Sequence, residues 1–178
     1  VDTGSSSKRI PEEALTAPLD FVKGLLDGYF SGDSTVNVKG YLVATSASEQ
    51  LLEGIMHLCS RFGIFGKKSG IQPKENNVGS EDIQYSHSFT IRNDFAKRFA
   101  TVINMTHSDK RQQLIDYIIN RKYRHPQGKF YTPFEDVMLD PIVEITHVPS
   151  SHQHVYDLTV KDTLRFAVFS GINCMDSF

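Results

Sequence analysis

The chain has 178 residues, 39% apolar and 22% charged, enough for a globular protein with one or two modest cores. No apolar run is long enough for a membrane span or a signal peptide, which argues against a membrane partner. Two distant cysteines, Cys59 and Cys174, argue against a disulfide framework and for a reducing compartment. The net charge of -2 hides an asymmetry: residues 35–134 carry 14 Lys and Arg against 8 Asp and Glu, whereas the flanks carry 5 against 13. A basic middle between acidic ends suits one domain that faces phosphates and another that does not, although a solvated mixed-charge surface looks similar.

Residues 1–9, VDTGSSSKR, read as a flexible lead-in or linker, an opening expected of a chain that starts inside something larger. IPEEALTAP follows, and Pro18 and Asp20 are the start signals of a helix over 21–34, FVKGLLDGYFSGDS. Gly24, Gly28 and Gly32 lie four apart and fall on one face of it. Each glycine costs a helix interior roughly 1 kcal/mol relative to alanine. Either the helix end is locally weak, or the stripe admits a second helix at close range, a logic best documented in membranes. Leu25, Leu26, Tyr29 and Phe30 flank the stripe, and Asp33 sits where the helix runs out.

Alternation follows, with Val36, Val38, Tyr41, Leu42 and Val43 in strands and Gly40 at a hairpin or bulge. Helical periodicity returns over 46–62, where Leu51, Leu52, Ile55, Met56, Cys59 and Phe62 share a face that makes Cys59 a core residue. Ser48 and Glu49 open that helix and Gly63 closes it. A short strand over 64–69 ends in Lys67 and Lys68; a polar loop at 72–82 leads to a strand over 83–91, IQYSHSFTI. Asn93 or Asp94 caps a helix that buries Phe95, Phe99 and Val102, and another helix from about 108 to 120 carries Leu114, Ile115, Ile118 and Ile119. Residues 121–134, RKYRHPQGKFYTPF, read as a DNA-contacting loop or a charged linker, and mark a boundary. From Val137 the chain is strand-like through VMLDPIVEITHV, HVYDLTV and RFAVFSGI, with turns at 149–153, 161–163 and 170–171. Three or four short strands without a helix need further sheet from elsewhere.

The stretch LDGYFSGDS at 26–34 resembles the signature of LAGLIDADG homing endonucleases, with Ser34 in place of the usual final glycine. The order helix, two strands, helix, two strands, helices over 10–120 is similar to the αββαββα order of one LAGLIDADG repeat. The resemblance implies an α+β fold over 10–134 and a double-stranded DNA target. It makes Asp33 the metal-binding acid, for Mg2+, and Gly24, Gly28 and Gly32 the helix-packing face. Lys110, or equally Arg111, stands near the family's basic residue by the scissile phosphate, and Lys39, Tyr41, Lys67, Lys68 and Arg92 are candidates for DNA readout. The family uses two such helices, each with one acid, and the chain holds one.

VYDLTVKDTLRF followed by SGIN-C resembles the C-terminal end of an intein, a self-splicing element with a Hint fold. The resemblance makes 135–173 the C-terminal part of a splicing domain and 174–178 the first residues of the host protein. The side-chain nitrogen of Asn173 would close a succinimide on its own carbonyl and break the bond to Cys174, whose thiolate first accepts the upstream acyl group. Asp157 falls where the family has an acid that sets thiol protonation. Splicing needs no cofactor. The family's histidines at two positions are replaced by Leu164 and Ile172, which implies slow C-terminal cleavage or a substitute donor. His147, His152 and His154 are candidates for that donor, for exposed turn residues, or by residue type for a metal site. The first nucleophile, the TxxH-type block and the first LAGLIDADG helix are absent, so an N-terminal intein half is an expected partner, with the host protein as exteins and an intracellular setting. A split intein and a cut chain explain this equally. A free-standing dimeric single-motif endonuclease, or a module that binds nucleic acid without cleaving it, are the competing readings.

Overall fold

The computed structural model describes residues 4–74, 84–121, 132–134, 137–139, 141–149, 151, 154, 156, 158–163, 165–168 and 173–175. They fall into two units, Val1–His125 and Pro126–Phe178. In the first, a short helix α1 (Glu12–Thr16) precedes α2 (Leu19–Asp33), with Pro18 at its N-cap, still extended at ψ 147°. Then come β1 (Ser34–Asn37), β2 (Tyr41–Ser46), α3 (Glu49–Ser60), β3 (Lys67–Lys74), β4 (Gln84–Arg92), α4 (Asn93–Val102), α5 (Ser108–Leu114) and a π-helical turn, Ile115–Ile119. The expected order of elements is therefore present.

The four strands pair antiparallel in the order β1-β2-β4-β3. Strand parity puts Val36, Leu42, Ala44, Phe89 and Ile91 on one face, all buried. Against them pack Val22, Leu26 and Phe30 of α2, spaced four apart, with Leu52, Ile55, Leu58 and Cys59 of α3 and Phe99 of α4. Phe30 and Phe99 meet with ring centroids 4.6 Å apart. Leu114 and Ile118 also enter this core, four apart, whereas Ile115 and Ile119 are left exposed. Phe95 and Val102 are half-buried rather than buried.

The β1–β2 hairpin closes on Gly40, whose positive φ of 82° and N–H bond to the Asn37 carbonyl (2.8 Å) make the turn. A Cβ at Gly40 would strike the Arg121 guanidinium and come within 2.9 Å of the Tyr117 carbonyl, so glycine is required twice over.

Two boundaries differ from expectation. Ile64 belongs to the core and its N–H bonds the Cys59 carbonyl at 3.1 Å, so 64–66 complete the turn after α3 and the strand starts only at Lys67. It then runs to Lys74 because β4 is long enough to pair with it, and one extra residue bulges between Ser69 and Gln72. Pro73 is tolerated because β3 is an edge strand.

The lead-in is not loose where it nears α1. Ser48 caps α3 by accepting from the Leu51 N–H (3.2 Å), and its hydroxyl donates to the Lys8 carbonyl. Ile10 lies on Gly54, and Arg61 donates to the Leu15 carbonyl at 3.1 Å. Residues 8–15 thus strap across α3.

In the second unit β5 (Thr132–Phe134) pairs with β6 (Val137–Leu139), and β7 (Arg165–Ala167) with β8 (Asn173–Met175). Residues 141–149, expected to continue a strand from Val137, are exposed and join no ladder among the described residues. A strand needs a neighbouring strand for its backbone groups, and residues 141–149 have none among the described residues. Thr163 N–H closes a turn onto the Lys161 carbonyl at 2.9 Å. No helix among the described residues is long and apolar enough to cross a membrane.

Ser48→Ala removes both the cap and the anchor of the strap. It is expected to cost about 1–2 kcal/mol of stability, read by thermal unfolding, and to speed proteolysis within residues 4–17 relative to the rest of the unit.

Candidate nucleic-acid interface

The face of α2 opposite Val22, Leu26 and Phe30 is bare. Gly24, Gly28 and Gly32 are exposed, and a Cβ built at any of them meets nothing within 4 Å. Phe21, three residues before Gly24 on the same side, is 57% exposed. Sequence reading passed over Phe21 as part of this face, although its spacing to the glycines was the signal. Tyr29 lies half-buried beside the stripe. Burial pushes its phenol up to about 12, with the negative charge of Asp33 adding to the effect.

The C-terminal half of α2 is gripped by the segment that links α4 to α5. Asp27 accepts the Thr106 N–H (2.6 Å), the Thr106 hydroxyl and the Ser31 hydroxyl (2.9 Å). Burial opposes ionisation of Asp27, but these donors and the charge of Arg111 outweigh it and hold the carboxyl below the ordinary value of 3.8. His107 caps α5, its Nδ1 accepting from the Lys110 N–H at 3.4 Å. Lys110 itself turns back to α2. Its Nζ lies 2.7 Å from the Ser31 carbonyl oxygen, 3.0 Å from that of Gly32 and 3.3 Å from that of Phe30.

Those carbonyls lie at the negative end of the helix, where the last acceptors lack helical partners, although that of Phe30 also accepts from the Ser34 hydroxyl, and Asp33 adds a full charge there. Lys110 therefore faces α2 rather than standing free for a phosphate. Burial pulls its ammonium below the ordinary lysine value, and Asp33 pulls the other way. Asp33 is exposed. Arg111, the alternative to Lys110, is exposed on α5.

The second surface is the face of the sheet away from the core. Cross-strand register aligns Asn37, Tyr41 and Arg92 in one row, and Thr35, Val43, Thr90 and Lys67 in the next. Thr45, Ser88 and Ser69 form a third. The Arg92 guanidinium lies 4.6 Å from the Tyr41 ring centroid, which holds the cation flat over the face. Lys39 projects from the adjoining turn, exposed.

Of the five residues expected to read DNA, four thus gather on or beside one face. Lys68 does not. Its register partner is Phe89, on the core side, and its Nζ lies 2.7 Å from Glu49 and 2.6 Å from Glu53 of α3. Hydrogen bonds to Glu49 and Glu53 hold the Lys68 ammonium above its ordinary value. Adjacent residues of a strand point to opposite faces, so Lys67 and Lys68 could not both belong to one surface. The same parity, read along Ser86, Ser88, Thr90 and Arg92, would have found the hydroxyl-bearing residues that the sequence reading left out.

Residues 20–104 match the family model of the LAGLIDADG-like domain. This segment is similar to LAGLIDADG-like domains. The chain is 34% identical over 113 residues to the DNA-directed RNA polymerase subunit Rpo1C of Methanocaldococcus jannaschii, covering 63% of this chain and 12% of that protein. It is 26% identical over 185 residues to the DNA polymerase of Thermococcus litoralis, covering 94% of this chain and 10% of that protein. A 64-residue stretch is 39% identical to a probable translation initiation factor IF-2 of Thermococcus kodakarensis, covering 35% of this chain and 6% of that protein. The chain thus spans about a tenth or less of the length of these curated relatives. In the DNA polymerase match, 94% coverage brings both the α2 stripe and the VYDLTV block into the aligned span.

Of the splicing candidates, Asn173 and Cys174 lie in β8 opposite Ala167 and Phe166. Cys174 is half-buried, and Asp157, His152, Leu164 and Ile172 lie outside the described residues. His147 and His154 are exposed. Among the described residues no three His, Cys, Asp or Glu side chains cluster as a metal site.

Because the glycine stripe is open, Gly28→Ala is expected to stabilise the isolated chain by up to about 1 kcal/mol through helix propensity alone, seen as a higher midpoint of thermal unfolding. A lower midpoint would mean that the stripe is already covered.

Proposed function

We propose that this chain is the C-terminal portion of an intein: half of a LAGLIDADG homing endonuclease followed by the last strands of a Hint-fold splicing domain, completed by an N-terminal half. What carries this reading is the pattern of relatives. One stretch of sequence recurs in an RNA polymerase subunit and a DNA polymerase, and part of it in a translation initiation factor, each time as a small share of the whole. A segment shared among proteins of different work behaves as an inserted element. The second unit fits the same reading: Ile142, Val143, Ile145 and Val148 are 75–88% exposed, apolar and without a ladder partner, as strands are when the remainder of their sheet is contributed from elsewhere.

In splicing, the Cys174 thiolate attacks the upstream thioester and the N-terminal thiol leaves, so the acyl chain moves to Cys174. The Asn173 side-chain nitrogen then attacks its own carbonyl carbon. A succinimide closes, and the Asn173–Cys174 bond breaks with protonation of the departing amine. An S-to-N shift on Cys174 leaves an ordinary peptide bond. Asp157 takes up and returns protons at the thiols. Pairing of β8 with β7 holds the junction extended and limits its approach directions.

In the endonuclease, the exposed Asp33 at the end of α2 suits one carboxylate of a Mg2+ site whose other acid comes from the complementary helix, since a hard cation needs several oxygen ligands. A bound divalent ion supplies Lewis-acid polarisation of the phosphodiester and a more acidic water. Arg92, Lys67, Lys39 and Tyr41 hold the duplex against the open sheet face, phosphates first and base edges second. A free-standing dimeric endonuclease leaves the second unit without a role, although the DNA polymerase alignment spans most of it.

The test is intact mass after mixing with the N-terminal half. Loss of the 174–178 peptide, or its transfer to the upstream segment, is expected, and Asn173→Ala should abolish release. A chain that stays whole in a folded complex contradicts the splicing assignment.

A further inference from the structure

The cations of the open sheet face are not held alike. The Arg92 guanidinium stacks on the Tyr41 ring, 4.6 Å from its centroid, and the two residues are register partners at the end of the β2–β4 ladder. The next residue, Asn93, has a positive φ of 55° and turns the chain at once into α4, which fixes where the stack stands. Arg92 is exposed. The ion pairs among the described residues join Lys68 and His87 to Glu49 and Glu53, and none reaches Arg92. Its donors are therefore unspent. Lys39 and Lys67 are exposed too, but each carries a point charge on a long stem, and no ring stacks on either among the described residues.

The neighbours narrow what this surface can discriminate. Asn37, in the same row, could read adenine only with both its amide oxygen and its amide nitrogen. Its Oδ1 is turned to the Lys39 N–H at 2.9 Å. The hydroxyls of the other two rows serve any base, and no carboxylate stands in the three rows. The face is thus positive, with one planar fork of donors set in a fixed place on it.

Resting on the reading of this face as the DNA surface, we propose that Arg92 is a specificity-determining residue that reads one guanine in the major groove, and that Tyr41 positions it. The guanidinium donates to guanine O6 and N7 together. Adenine keeps N7 but puts an amino group in place of O6, and the pyrimidines lack the pair of acceptors. A base reader gains from being held, because a wrong base then leaves its donors desolvated and unpaired. Lys39 and Lys67 meet phosphates, for which a mobile point charge suffices.

The test incubates the 178-residue chain at low salt with a pool of short random-sequence duplexes and sequences the bound fraction. The expected motif has one position at which guanine is favoured about tenfold, within the range of a single bidentate contact. Arg92→Lys keeps the charge without the fork and should erase that preference, and Tyr41→Leu should weaken it. Lys39→Ala and Lys67→Ala should weaken binding to all sequences alike and leave the motif intact. A check that needs no variant replaces the favoured guanine with 7-deazaguanine, which lacks the N7 acceptor, and the unaltered chain should then lose most of its preference. A guanine preference that survives Arg92→Lys or the 7-deaza change, or a motif without one, overturns the guanine assignment while the DNA reading stands. Retention of no duplex at all overturns both. A Tyr41→Leu chain of lower thermal stability and unchanged motif overturns the positioning role of Tyr41.

Discussion

The first unit is organised by a helix that is held on one side only. Val22, Leu26 and Phe30 fasten α2 to the sheet, and the opposite side offers three glycines to solvent. By helix propensity those glycines cost about 3 kcal/mol together, a large part of the 5–15 kcal/mol by which ordinary domains are stable. Nothing within the described residues returns that cost. What a bare glycine face permits is the close approach of another backbone, and the carboxylate at its end is then brought beside whatever that second helix carries.

The rest of the unit positions this end. The 106–110 segment ties Asp27, Ser31 and the last carbonyls of α2 to the start of α5, so the direction in which Asp33 points depends on a stretch far away in sequence. β1 begins at Ser34, directly after the acid, which sets the open sheet face in fixed relation to it. Arg92 stacked on Tyr41, with Lys67 and a set of threonines and serines, gives that face positive charge and hydrogen-bonding capacity without the ion-paired Lys68.

Much of this was legible in the sequence because it rests on local rules. The glycine spacing, the Ser48 cap, the Gly40 turn and the order of elements follow from periodicity and backbone preference. What was not legible depends on contacts between distant segments. Nothing local marks Lys8 as an acceptor for Ser48, or Lys110 as the cap of a helix some eighty residues earlier. Ile64 looked like strand because apolar β-branched residues do, and the core claimed it for a turn. Lys68 was misplaced for a different reason: its composition was read and its parity was not. Residues 141–149 have the pattern of a strand and no ladder neighbour among the described residues, so among these their preference goes unmet.

In the proposed intein, the α2 stripe is covered by a helix of the complementary N-terminal half. The direct measurement is sedimentation equilibrium of the chain alone and mixed with the complementary N-terminal half. The expected result is a monomer that forms a one-to-one complex, with Gly28→Leu preventing assembly. A stable homodimer of the chain alone, broken by the same substitution, would contradict the account and place the protein among self-sufficient dimeric endonucleases.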